Sequence, residues 1–248
     1  MIKTLRTIFK QDKEKFCIPR SVQQVIPIQA VWADGVFQVG RNKFTRTYKF
    51  MDINYAVASR EDQEAMFLEY SELLNSFDSG ATTKITINNR RLNRQDFEKA
   101  ILIPMREDGL DVYREEYNEM LLEKATGSNR MVQEKYVTVS VYKKTVEEAR
   151  SYFARVGTDL MGHFARLGSK CVELDATERL RALHDFYRAG EETAFFFDLQ
   201  QAMKKGHSFK DFICPDSFEF ERDHFKMGDR YGRVLFLRDY ASYIKDDM

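Results

Sequence analysis

At 248 residues and 29.2 kDa, with 43% hydrophobic and 31% charged residues, the chain has material for a buried core and a solvated surface, which excludes wholesale disorder. Its 39 basic residues balance 39 acidic ones, but unevenly: residues 1–50 carry ten Lys/Arg against three acids, and residues 51–80 carry Arg60 against seven acids. Three cysteines, Cys17, Cys171 and Cys214, are too few, too far apart and odd in number for a disulfide-stapled scaffold, and they read as free thiols in a reducing compartment.

No apolar run approaches the roughly 18 residues that cross a bilayer, and the opening "MIKTLRTIFKQDKEKF" lacks the apolar centre of a signal peptide. Ile2, Leu5 and Phe9 fall near one helical face with Lys3, Arg6 and Lys10 around them, so this basic segment reads either as a docked terminus or as a short helix resting on an anionic surface. After Pro19 and Pro27, "GVFQVG" (35–40) and "KFTRTYKF" (43–50) read as a β-hairpin, with Gly40 easing the turn at Arg41 and Asn42.

From Arg60 to Phe77 the spacing of Met66, Phe67, Tyr70, Leu73, Leu74 and Phe77 predicts a helix, capped by Ser59 and ended by a left-handed Gly80. The next stretch, "DSGATTKITINNRRL" (78–92), has the residue types of a phosphate loop. A phosphate loop follows a strand and opens a helix, whereas this glycine follows a helix and opens an alternating strand whose hydroxyls and Lys84 face outward.

Helical patterns follow around Asp96 to Ile103 and from Gly109 to about Lys124, the second with a stripe of Leu110, Tyr113, Tyr117, Met120, Leu121 and Lys124. "EKYVTVSVYKK" (134–144) alternates as a strand. Thr145 then caps a helix with the stripe Ala149, Tyr152, Phe153, Val156, Leu160, Phe164 and Leu167. "KCVELD" (170–175) is a short strand, and a helix with Leu180, Leu183 and Tyr187 follows. In the last part, Phe218 to Phe225 and Arg233 to Leu237 are strand-like, with a turn at Gly228-Asp229, and the ending at "DYASYIKDDM" reads as a chain cut from something longer.

Residues 43–88 and 134–175 are thus two strand-helix-strand units. They predict an α+β fold of ferredoxin-like split β-α-β units with a helical insertion at about 93–127, followed by a C-terminal β-hairpin. The expected divisions are a basic arm and connection (1–34), the α+β domain (35–210), and a hairpin with the start of a further, truncated domain (211–248).

No catalytic or metal-binding pattern emerges. His207, Cys214 and His224 lack the compact spacing of a zinc site, His163 and His184 lack a partner at usable spacing, and there is no nucleophile elbow. The residues singled out for contact with an anion or partner are Lys3, Arg6, Lys10, Arg90, Arg91 and Arg94, the last three in "NNRRLNR" (88–94), which otherwise reads as a solvated turn.

Three runs carry a resemblance: "KFTRTYKFMDINYAVASREDQEAMFLEYSELLNSFDSGATTKITINNRRL" (43–92), "DVYREEYNEMLLEKATGSNRMVQEKYVTVSVYKKTVEEARSYFARV" (111–156) and "FICPDSFEFERDHFKMGDRYGRVLFLRDYASYIKD" (212–246). They resemble the N-terminal region of the VirB-type, TraC/TraE-like conjugal transfer ATPases of type IV secretion systems, in the form carried on mobile elements of Gram-positive bacteria. The resemblance implies a cytoplasmic, membrane-associated ATPase that powers assembly and DNA or protein passage as an oligomer. Its ATP and magnesium would be bound by a downstream RecA-like domain with Walker A and B motifs. Neither motif occurs in residues 1–248, so the resemblance implies no cofactor for this chain. Its role would be to dock onto other type IV secretion components and onto its own ATPase domain. The alternative is a stand-alone module that binds nucleic acid or an anionic surface.

Overall fold

The computed structural model describes residues 18–91, 102–127, 131–237 and 239. Six strands form one antiparallel sheet: β1 (Ala30–Val31), β2 (Phe37–Gly40), β3 (Lys43–Phe50), β4 (Ala81–Arg91), β5 (Met131–Tyr142) and β6 (Cys171–Glu173). The path runs β1-β2-β3-β5-β4. Strand β6 shares an edge of β3 with β2, since β2 pairs with Lys43–Thr45 and β6 with Tyr48–Phe50. The four long helices are α1 (Arg60–Asn75), α2 (Asp111–Gly127), α3 (Val146–Arg166) and α4 (Ala176–Tyr187). Both expected strand-helix-strand units are present, as β3-α1-β4 and β5-α3-β6, with α2 between them.

The register assigns the faces. Phe44 lies opposite Val141, Arg46 opposite Val139 and Tyr48 opposite Val137, so these share one face, and the intervening Thr45, Thr47, Ser140 and Thr138 point the other way. The first face carries the main core. On it α3 buries Ala149, Tyr152, Phe153, Val156, Leu160 and Phe164, the stripe expected from their spacing, against Phe44, Tyr48 and the valines of β5. Each fully buried side chain of this size contributes about 1.5–3 kcal/mol. Thr145 caps α3 by accepting the Glu148 N–H. Gly157 permits the close approach, because a Cβ there would lie 2.4 Å from Glu173 Oε1 and 3.0 Å from the Tyr48 hydroxyl. Tyr48 in turn donates to the Phe153 carbonyl at 3.2 Å.

A second core lies across the sheet, where Ala176 and Leu180 of α4 pack with Ile26, Ile28, Phe37 and Ile213. Asp175 and Glu178 form a capping box that starts α4. With both faces covered, β3 buries consecutive residues, Phe44-Thr45 and Thr47-Tyr48.

Several local expectations change. The left-handed residue of the β2–β3 turn is Asn42 (φ 60°), not Gly40, because the two-residue loop puts the turn's second position there and asparagine tolerates that conformation. Helix α1 ends at Asn75 with Ser76 as its C-cap in ordinary right-handed geometry, so Gly80 is not a left-handed cap. It lies inside a turn in which Ala81 donates to the Asp78 carbonyl. The helix expected around Asp96 to Ile103 falls on residues outside the described ones, except for Leu102 and Ile103, which are not helical. Strand β4 continues through Asn88–Arg91, so "NNRR" is ladder rather than turn.

Helix α2 forms where expected, but its apolar stripe is not core: Leu110, Tyr113, Tyr117 and Met120 are all exposed. Among its described side chains the buried one is Asn118, whose amide donates to the Ile103 carbonyl and accepts the Ile103 N–H, each at 2.9 Å. Asp111 anchors the helix start by accepting the N–H groups of Arg106 and Glu107.

A separate three-stranded sheet follows near the C-terminus: β7 (Phe218–Phe220), β8 (Phe225–Met227) and β9 (Arg230–Gly232). The expected single strand from Phe218 to Phe225 is two strands, joined where Glu221 donates to the His224 carbonyl. Gly228 (φ 54°) and Asp229 make the expected turn, which forces the third strand to start at Arg230 rather than Arg233. Arg233–Leu237 is irregular and outside the sheet, with Leu235 85% and Phe236 87% exposed.

Candidate functional site

The second sheet face and α4 enclose a cavity of about 470 Å³. Its floor is the outward set of alternating strand residues: Thr45 and Thr47 from β3, Tyr136 and Thr138 from β5, and Lys84 and Thr86 from β4. Of the β4 residues expected to face outward, Thr82 and Lys84 are exposed, and Lys84 and the half-buried Thr86 also border this space. Ile28, Phe37, Leu183, Phe186 and Tyr187 supply an apolar wall. Thr47 and Thr138 are hydrogen-bonded to each other across the strands at 2.9 Å.

Arg179 reaches this cavity from α4 and is only 8% exposed. Its Nη1 donates to the carbonyls of Gly35 and Thr45 at 2.6 and 2.9 Å, its Nη2 to the Thr45 hydroxyl at 3.1 Å, and its guanidinium lies 3.9 Å from the centre of the Phe37 ring. No carboxylate pairs with it among the described residues. Burial, reinforced by the nearby Arg46 charge, pushes the guanidinium down to about 9, which leaves it cationic at neutral pH. Gly35 makes the anchoring possible: its φ of 81° turns the chain, and a Cβ would strike the Leu174 carbonyl oxygen.

Beyond Tyr136 lies a polar cluster. Glu134 accepts from Lys49 at 2.8 Å, from the Tyr136 hydroxyl at 2.9 Å and from Arg90 Nε at 3.3 Å, and Asp185 of α4 stands 3.9 Å from the same Arg90 nitrogen. Burial works to raise Glu134, but Lys49, Tyr136 and Arg90 together hold it below the usual carboxylate range. Beside them, His184 Nδ1 and Asp185 Oδ1 are buried 3.7 Å apart without hydrogen-bond partners.

Arg90, singled out from the sequence for anion contact, is therefore answered by two acids within the fold. Arg91 ends β4, and Lys3, Arg6, Lys10 and Arg94 lie outside the described residues, as does the side chain of Arg91. The residues that line the cavity were missed, although one signal was present: Arg179 occupies an apolar-stripe position of α4 beside Leu180, where a charge needs a special partner.

One other cluster has metal-ligating types. Ligand atoms of Glu69, Glu72 and His163 lie within 4.8 Å of one another, so His163, which has no usable partner in sequence, gains one in space from α1. Arg166 already donates to Glu69 Oε1 at 2.7 Å, and His163 Nδ1 lies 2.7 Å from the same oxygen. The positive charge that an ion would bring is supplied by the arginine, and the trio fastens α1 to α3. The described cysteines are poor nucleophiles: burial first, then Glu173, pushes Cys171 up to about 12, and burial also raises Cys214.

No helix among the described residues is long and apolar enough to cross a membrane. Neither a scan against protein-family models nor a search of curated proteins gives a match to this chain.

Proposed function

We propose that this chain acts as a non-catalytic docking domain of a conjugal transfer ATPase, holding a motor to the membrane channel components of a type IV secretion system at the inner face of the cell membrane and supporting oligomer assembly. The observation that carries the reading is the similarity of residues 43–92, 111–156 and 212–246 to the N-terminal region of those ATPases. The strand order β6-β3-β5-β4, with a helix in each of the two crossovers, is consistent with the split β-α-β plan read from this chain's own pattern. ATP chemistry would belong to a RecA-like domain and not to residues 1–248, where no G-x-x-x-x-G-K-[ST] sequence occurs.

Two surfaces suit a docking role. One is the α2 face bearing Tyr113, Tyr117 and Met120, and the other is the Val234–Leu237 segment, whose large apolar side chains stand in solvent. The alternative, a stand-alone nucleic-acid or anionic-surface module, gains no support from Arg90, whose charge is matched by Glu134 and Asp185.

The test is a co-purification of tagged 1–248 with the individual channel components of its own transfer system. One of them should be retained, and retention should fall in a Leu235→Asp/Phe236→Asp double variant or in Tyr113→Asp/Tyr117→Asp. If no component is retained, or if purified 1–248 turns over ATP above a mock preparation, the reading fails.

A further inference from the structure

The cavity under α4 differs from an ordinary packing defect in its charge. A buried guanidinium normally pairs with a carboxylate, because leaving an ion without a counter-charge in a poorly solvated place is costly. Arg179 has carbonyl and hydroxyl acceptors only. Of the five N–H groups of an arginine, three are accounted for by Gly35 and Thr45. The remaining two, on Nε and Nη2, have no acceptor among the described residues.

Lys84, exposed at the edge of the same cavity, adds a second cation; among the described residues it has no carboxylate partner and no acidic side chain lines the space. The hydroxyl of Thr86 and the amide of Asn88 add groups able to donate hydrogen bonds, while the Tyr136 hydroxyl is already committed to Glu134. Opposite them, Ile28, Leu183 and Phe186 give an apolar wall. A positive, donor-rich floor facing an apolar wall is complementary to a molecule with one acidic end and one greasy end.

We infer that this cavity binds a small organic anion, a carboxylate or phosphate monoester with an apolar body, whose acidic group is held by Arg179 and Lys84. The apolar body lies against Leu183 and Phe186. Such a ligand would supply the counter-charge that Arg179 lacks and would tie α4 to β4. The inference does not depend on the conjugation reading, since it concerns the inside of this fold and not its docking surfaces.

The experiment titrates the full 248-residue chain with two fluorescent dyes of similar shape, anionic 1-anilinonaphthalene-8-sulfonate and neutral N-phenyl-1-naphthylamine. The anionic dye should bind once per chain and more tightly than the neutral one. Arg179→Met should weaken the anionic dye about tenfold or more while leaving the neutral dye unchanged. Because Arg179 also braces α4, Lys84→Met, at an exposed site with no partner among the described residues, provides the second variant. It should weaken the anionic dye several-fold, roughly the effect of one surface-accessible charge. Octanoate and octyl phosphate are then used to displace the dye, and whichever competes better identifies the headgroup. Equal binding of the two dyes, an unchanged affinity in Lys84→Met, failure of both competitors, or loss of dye binding in Leu235→Asp/Phe236→Asp would each overturn the assignment.

Discussion

The two faces of the main sheet come from the same strands and do different work. On one, Phe44, Tyr48, Val137, Val139 and Val141 meet α1 and α3 in a dry core. On the other, Thr45, Thr47, Tyr136 and Thr138 meet α4 across a cavity that holds a buried cation. The period of two along β3 and β5 therefore separates stability from recognition by a single residue step. Substitutions in the first-face core should cost folding energy and leave the cavity's chemistry alone, and those of the polar residues lining the cavity should do the reverse. The second face also carries a core of its own around Phe37 and Leu180.

Phe153→Ala should have the largest effect, a loss of about 3–5 kcal/mol in urea denaturation, because the side chain is wholly buried at the centre of the first face. Next comes Gly35→Ala, which combines an unfavourable left-handed backbone with a backbone clash at Leu174; a loss of more than about 1 kcal/mol is expected. It also perturbs the turn that holds Arg179, so it is the one substitution expected to damage both faces together.

Thr138→Val removes a hydroxyl pair from the cavity floor and should cost only about 0.5–1.5 kcal/mol by the same assay. If it proves as damaging as Phe153→Ala, the division between the faces is wrong. The smallest effect is expected far from either face. Arg114, by hydrogen bonding, holds Asp108 down to about 2, so the contribution of that pair is complete above the ordinary value of 3.8 and fades as pH falls toward 2. Asp108→Asn should lower the melting temperature slightly at pH 7, flatten the acid limb of the profile in that window, and match the parent chain by about pH 2.

The parts of this fold that were legible in the sequence are those where a long amphipathic period meets a cap. Thr145 and the stripe from Ala149 to Leu167 located α3 and its buried face together, because seven apolar positions at helical spacing have no competing reading. The same reasoning misplaced the stripe of α2, since spacing says which residues share a face but not whether anything covers it. Strand β4 misled in the opposite sense. Alternation located it and assigned its polar residues to solvent, which holds for Thr82 and Lys84, but Thr86 and Asn88 are half-buried at the cavity. Ile85 and Ile87 on the other face are exposed because β4 is the outermost strand. Arg179 gains its meaning only from Gly35 and Thr45, more than 130 positions away, and no local pattern carries that.

Strand β4 has a further consequence. As the outermost member of the sheet, it hydrogen-bonds to β5 from one side only, so every second amide between Ala81 and Arg91 points away from the ladder. Deuterium uptake along this strand should alternate residue by residue, fast then slow. The outward row could zip onto an incoming strand, and Lys84 is the kind of charged residue that keeps such an edge from recruiting copies of itself.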